Sequence, residues 1–171
     1  DWSSDVCSSD LIPSFTSASY STGESSGSIT IYVDRTSGSN GPLSVGYSTI
    51  NGTAFSSINY TVSTGTLSWL DTETSRKSFS VPILYDGIQT SNLNFSVSLT
   101  NLSTGSFVNY PSARTSSIIT IIDQEPGTFK LDASSYVVTE SNSFNVTVSR
   151  YSGSFNNVTV VITSSDGTAV S

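Results

Sequence analysis

Side chains able to do chemistry are scarce in this chain. It has no histidine, its one cysteine is Cys7, and 13 Asp and Glu stand against 6 Lys and Arg. General base catalysis near neutral pH draws most often on histidine, so that route is closed. A serine and lysine pair could be assembled with Lys77 or Lys130, but no motif surrounds either lysine. Two carboxylates at glycosidase spacing could come from acidic loops, yet a sugar-sized cleft would be missing. The expectation is a non-enzyme. Six Asn-x-Ser/Thr triplets, at Asn51, Asn59, Asn94, Asn101, Asn145 and Asn157, have the form of glycosylation acceptors; in a chain this rich in Asn, Ser and Thr they read as coincidence.

The opening stretch "DWSSDVCSSDL", Asp1 to Leu11, resembles the in-frame translation of a sequencing-library adapter and is set aside before any fold reasoning. Without it the formal charge moves from −7 to about −4, and no thiol remains. Disulfide scaffolds and the common zinc sites are thereby excluded. The few Lys and Arg argue against nucleic acid or an anionic membrane surface as partner. No run of eighteen or more apolar residues is present, so this stretch carries no membrane span.

The chain repeats itself. "ITIYVDRTSGSNGPLSVGYSTINGTA" (Ile29 to Ala54) lines up with "FNVTVSRYSGSFNNVTVVITSSDGTA" (Phe144 to Ala169), pairing Arg35 with Arg150 and Gly38 with Gly153 at a spacing of about 115 residues. Upstream, Glu24 and Glu140 are one residue further apart, so a residue is gained or lost between the two alignments. A period this long excludes short-repeat solenoids and suits tandem sandwich domains. The expected organisation is an adapter-like segment at 1–11, a complete domain at 12–125 and an incomplete second copy at 126–171, joined through "DQEPG". The second copy stops just after its "DGTA" and is expected to leave unpaired strand edges.

Strands must position whatever chemistry there is. Ile29, Ile31 and Val33 share one parity, as do Leu43, Val45 and Tyr47, then Phe79, Val81 and Ile83, then Phe95, Val97 and Leu99. Period two with Ser, Thr and Asn between marks strands with one face on a core. "SSIITII" (Ser116 to Ile122) is continuously apolar at its end and reads as buried on both faces. "NG" at Asn51 and Gly52 and "DG" at Asp166 and Gly167 favour tight turns with positive φ. Pro82 cannot donate to a ladder, which places it on an edge strand or bulge. No window reads as a helix. The fold class is all-β, an immunoglobulin-like antiparallel sandwich of about seven strands.

The order of the pieces resembles the Calx-beta domain. "FTSASYSTGE" supplies an aromatic start with a glutamate and "ITIYVDRTSG" a strand ending in Arg and Gly. "VGYSTINGTAFSSINY" stands for the family's V-x-Y-x-T-x-DGTA-x-x-G-x-DY, followed by "GTLSW", "FSVPILYDG", "LNFSVSL" and a closing "ITIIDQE" for TI-x-DDD. In calcium-binding members, acids from the first strand, the "DY" loop, the loop before the sixth strand and the final triplet converge at one end of the sandwich. The resemblance therefore implies a metal set of Glu24, Asn59, Asp86, Asp123 and Glu125. It departs from the family at Asn59, Gln124, Tyr85, Gly87, Thr90 and Leu93, where acids are frequent. Four carboxylates would hold about one Ca2+, weakly, at roughly 10⁻⁴ to 10⁻³ M. The same residues also admit plainer roles: Glu24 could accept backbone N–H bonds where the strand begins, and Asp123 and Glu125 could keep the linker soluble.

The function this implies is a calcium-binding structural and adhesive repeat of a large secreted or cell-surface bacterial protein, stiffening a multi-domain array. Its partners would be neighbouring repeats of the same chain, with a cell-surface protein or glycan beyond them. The alternative is an accessory sandwich that binds a carbohydrate or protein ligand beside a catalytic or adhesive domain. An exposed Trp69 indole, able to stack on a sugar, would favour that alternative.

Overall fold

The computed structural model describes residues 12–36, 38–100, 113–139, 142–165 and 167; the adapter-like residues 1–11, Asn101, Glu140 and Asp166 lie outside them. Two compact units divide the chain, Asp1–Asp123 and Gln124–Ser171.

In the first unit, two sheets face each other. One contains β1 (Pro13–Phe15), β3 (Ser28–Arg35) and β6 (Lys77–Pro82) in the order β1-β3-β6. The other contains β2 (Ser19–Gly23), β4 (Leu43–Asn51), β5 (Thr64–Trp69), β7 (Leu93–Thr100) and β8 (Ser116–Ile122) in the order β2-β8-β7-β4-β5. The expected sandwich is present, and its first strand accounts for the eighth segment. That strand pairs with β3 as β1, breaks at Thr16–Ala18, and crosses to the second sheet as β2. There it pairs with β8 in parallel, the single parallel ladder of the unit among its described strands.

Alternation decides what is buried. Ile29 and Ile31 of β3 lie opposite Val81 and Phe79 of β6; with Val33 of β3 and Val45, Val97 and Ile119 from the facing sheet, all are buried. Each such side chain contributes roughly 1.5 to 3 kcal/mol when fully buried. Two ring stacks extend this core, Tyr47 on Phe79 with centroids 3.8 Å apart and Tyr60 on Phe95 at 4.1 Å. Pro82 does end an edge strand, opposite Ser28.

Two local expectations are corrected. The run "SSIITII" is not buried on both faces: Ile119 and Ile121 point inward, while Ile118 is 53% exposed and Ile122 39%. A continuous apolar run hides its alternation, and here nothing among the described residues covers the outer face of β8. Gly52 closes the turn after β4, but a positive φ is not its reason. A Cβ at Gly52 would lie 2.6 Å from the backbone oxygen of Asn94, so close approach of two chains excludes any larger residue.

The second unit contains β9 (Thr128–Leu131) and β10 (Val148–Tyr151), an antiparallel pair. Its register carries the repeat seen in the sequence. Arg35 faces Pro13 in the first unit and Arg150 faces Phe129 in the second, one residue beyond where a constant spacing would put it, as the Glu24 and Glu140 alignment requires. The two arginines also act alike. The Arg35 guanidinium donates to the carbonyls of Asn40 and Gly41, and that of Arg150 to the matching Phe155 and Asn156. Every residue of β9 is exposed, and a two-stranded ribbon is marginal in water.

Arg35 is buried and additionally donates to Leu70 O and Glu73 O at 3.2 and 3.0 Å. One side chain thus ties the β3–β4 turn to the β5–β6 turn. Replacing it removes four hydrogen bonds from a charged donor and leaves a cavity at a buried position. Arg35→Ala should lower the unfolding free energy by about 3 kcal/mol or more, measured as a drop in the urea midpoint at unchanged slope.

Candidate metal centre

The parallel ladder between β2 and β8 sets the geometry. Its last pair is Gly23 with Ile122. Because both strands run the same way, the residues that follow them, Glu24 and Asp123, leave side by side; neighbouring strands lie about 4.8 Å apart. A short 3-10 turn, Glu24–Ser26, then bends the chain away and ends at Gly27 with φ 74, a conformation that costs glycine little. Gly27 O accepts the Ile83 amide at 3.0 Å, closing this turn against β6.

One carboxylate oxygen each from Glu24, Asp123 and Glu125 lies within 4.8 Å of the other two. Glu24 is 6% exposed and Glu125 5%, while Asp123 is half-buried. The buried Glu24 Oε1 accepts no hydrogen bond, which disfavours the plainer role of a backbone acceptor for that oxygen. The two ion pairs found among the described residues, Arg76–Asp34 and Lys77–Glu73, involve other acids. Three carboxylates at this spacing repel strongly in a poorly solvated site. Such a donor set, all oxygen and all anionic, fits a hard cation of the calcium or magnesium type.

Asp123 is also held in place from outside the ladder. Its Oδ1 accepts the Thr90 amide at 3.1 Å, and its own amide donates to Asn92 Oδ1 at 3.2 Å. Asn92 escaped the sequence reading, since an asparagine in "TSNLN" looks like any other turn residue. Asp86 and Asn59 belong to a neighbouring arrangement. Asn59 Nδ2 donates to Asp86 Oδ2 at 3.1 Å, Asn59 Oδ1 accepts the Phe55 amide at 3.0 Å, and Asp86 Oδ1 accepts the Ile88 amide at 2.9 Å. The oxygen of Asn59 is thereby committed to its own loop, and its nitrogen faces the acid. Both oxygens of Asp86 accept hydrogen bonds, and it falls outside the group formed by Glu24, Asp123 and Glu125.

Tyr60 braces this loop from below. Its hydroxyl donates to Asn51 Oδ1 at 2.6 Å, and that oxygen also accepts the Ser56 amide. Burial pushes the Tyr60 phenol up from its ordinary value, with a hydrogen bond from Thr49 opposing. Trp69 offers no sugar platform: it is buried, and its indole N–H donates to Ser75 O at 2.7 Å. Asn59 is buried too, so its triplet is inaccessible in the folded chain.

Fold and acidic end together define a sandwich repeat with an all-oxygen cluster at one pole. The Calx-beta domain matches residues 9–125 and again 122–171, and the chain belongs to that family. Calx-beta domains are calcium-binding β-sandwich modules, and their role is binding rather than catalysis. Among solved structures, the apo form of the Calx CBD1 domain is similar at 23% identity with TM-score 0.61, covering 68% of this chain and 100% of that one. The calcium binding domain CBD12 of CALX1.1 is similar at 26% identity with TM-score 0.60, covering 82% of this chain and 58% of that one. The Calx CBD2 domain follows at 21% identity and TM-score 0.53, covering 64% of this chain and 85% of that one. No curated protein sequence matches.

Asn59 separates loop bracing from ligation. Asn59→Ala removes the bonds to Phe55 and Asp86 and should cost about 1 to 2 kcal/mol in thermal or urea unfolding, while leaving any calcium-induced rise of the midpoint unchanged.

Proposed function

We propose that the first domain binds one calcium ion through Glu24, Asp123 and Glu125, and that it serves as a structural, adhesive repeat in a larger secreted or cell-surface protein. The observation that carries this reading is the buried Glu24, whose Oε1 accepts no hydrogen bond beside two further carboxylates. Burial of a carboxylate oxygen that accepts no hydrogen bond is unfavourable, and a divalent ion would reverse the sign of that interaction. Calcium takes six to eight oxygens; three carboxylates supply at most six, so water completes the shell and the affinity is modest.

The ion's mechanical effect follows from sequence order. Asp123 and Glu125 lie on the segment leaving β8, and Glu24 lies at the end of β2. Joining them through one ion restricts the backbone freedom of that segment, and this is what supports a stiffening role in an array. The carbohydrate-binding alternative loses its main support with the burial of Trp69.

Calcium that binds only the folded state must raise its stability. At an affinity near 10⁻³ to 10⁻⁴ M, ten millimolar calcium should add about 1.4 to 2.7 kcal/mol, a rise of several degrees in the midpoint over chelator. Glu24→Gln should abolish this rise, and in chelator it should unfold at a higher temperature than the parent chain because one buried charge is gone. An unchanged parent midpoint in calcium would remove the ion from the account.

A further inference from the structure

The acidic pole carries a second feature that the ion does not explain. Phe55 and Ile58 on the β4–β5 loop, and Tyr85 and Ile88 on the β6–β7 loop, are 53%, 58%, 52% and 62% exposed. Single exposed apolar residues are ordinary, but these four are neighbours on two loops bonded to each other. Leu84 N donates to Asn59 O at 2.9 Å, Tyr60 bridges Ile83, and Asn59 Nδ2 reaches Asp86. Asn59 is buried and Asp86 half-buried between the loops, while the four large apolar side chains are exposed. Ile58 N and Asn59 N both donate to Phe55 O, and Asp86 receives Ile88 N. The apolar rim also adjoins the acids. Ile88 is two residues from Thr90, whose amide donates to Asp123, a reach of about 7 Å along extended chain.

The charge pattern selects the occupant. Neither loop contains Lys or Arg, so without a cation this pole repels anionic surfaces. An ion held by three carboxylates keeps exchangeable coordination positions, which take anionic oxygens. An open anion-seeking ion beside convex aromatic and aliphatic loop tips, with tyrosine among them, matches an amphiphilic interface in which phosphate lies above acyl chain. Resting on the ion reading above, we propose that the acidic pole of the first domain is a calcium-dependent docking surface for an anionic phospholipid bilayer. Phe55, Ile58, Tyr85 and Ile88 enter the boundary between headgroups and acyl chains, and an ion held by Glu24, Asp123 and Glu125 would supply the positive charge that attracts lipid phosphate. The scarcity of basic residues, which argued against such a surface, is met by the ion itself.

The test is co-sedimentation of the full chain with vesicles of phosphatidylcholine containing one-fifth phosphatidylserine, or phosphatidylcholine alone, in millimolar calcium or chelator. Calcium should raise the fraction bound to the serine-containing vesicles by about tenfold or more, with no such increment on phosphatidylcholine. Exposed apolar residues of the second unit, such as Val161 and Ile162, contribute a calcium-independent background, so the increment is the readout. Ile88→Ser and Phe55→Ser should each remove most of it at an unchanged thermal midpoint, whereas Ile118→Ser, equally exposed but on the outer face of β8, should leave it intact. An increment that survives Ile88→Ser and Phe55→Ser overturns the proposal. A calcium-raised midpoint without vesicle binding overturns the docking while leaving the ion site; an unchanged midpoint overturns both. A calcium-dependent dimer in lipid-free solution, abolished by Ile88→Ser, assigns the rim to a second copy and overturns it likewise.

Discussion

Everything at the acidic pole depends on two strands running the same way. Were β2 antiparallel to β8, the residue after Gly23 would lie beside the start of β8, and Glu24 and Asp123 would emerge at opposite ends of the sandwich. The parallel ladder, in register from Ser19 with Ile118 to Gly23 with Ile122, makes their adjacency unavoidable. It exists because the first strand changes sheets. β1 pairs antiparallel with β3, and the break at Thr16–Ala18 lets the continuing chain lie against β8 in the other layer. The switch is held by local bonds, among them Thr16 N to Tyr32 O and Ile118 N to Ala18 O.

The two poles of the first unit solve different problems. At one, Arg35 satisfies four carbonyls with a single buried cation and joins two turns; its charge is spread over hydrogen bonds to neutral acceptors. At the other, the carboxylates of Glu24, Asp123 and Glu125 approach one another. The contrast is physical: carbonyl groups can share a guanidinium, whereas converging carboxylates require a cation or protons. The Asn59–Asp86 bridge is a third solution. There an amide nitrogen faces the acid, and the loop is braced without any ion.

Much of this was legible from the residues. Period-two alternation named the inward faces of β3, β4, β6 and β7, because a half-buried strand cannot hide its parity. The one-residue slip in the internal repeat was visible in the alignment, and it reappears as the register of Arg150 against Phe129. Other features were hidden for stated reasons. A continuous apolar run concealed that Ile118 and Ile122 face outward. The parallel pairing joins residues about a hundred positions apart, which no local pattern reports. Nor could residue type decide which end of the Asn59 amide faces Asp86; that follows from the Phe55 amide, which claims the oxygen. The resemblance to the Calx-beta domain named five candidate ligands; Glu24, Asp123 and Glu125 lie within 4.8 Å of one another, and Asn59 and Asp86 are bonded to each other.

Membership of the Calx-beta family supplies the expectation of calcium, and the proposed site rests on three acids of this chain whose oxygens lie within 4.8 Å of one another. The most direct measurement is a crystal of the full chain grown in calcium, with anomalous scattering used to locate the ion. The account predicts a single anomalous peak at the end of β2 and β8, with oxygens of Glu24, Asp123 and Glu125 at about 2.3 to 2.6 Å. A peak at Asn59 and Asp86 instead, or a pole with no peak and the three carboxylates turned apart, would contradict it.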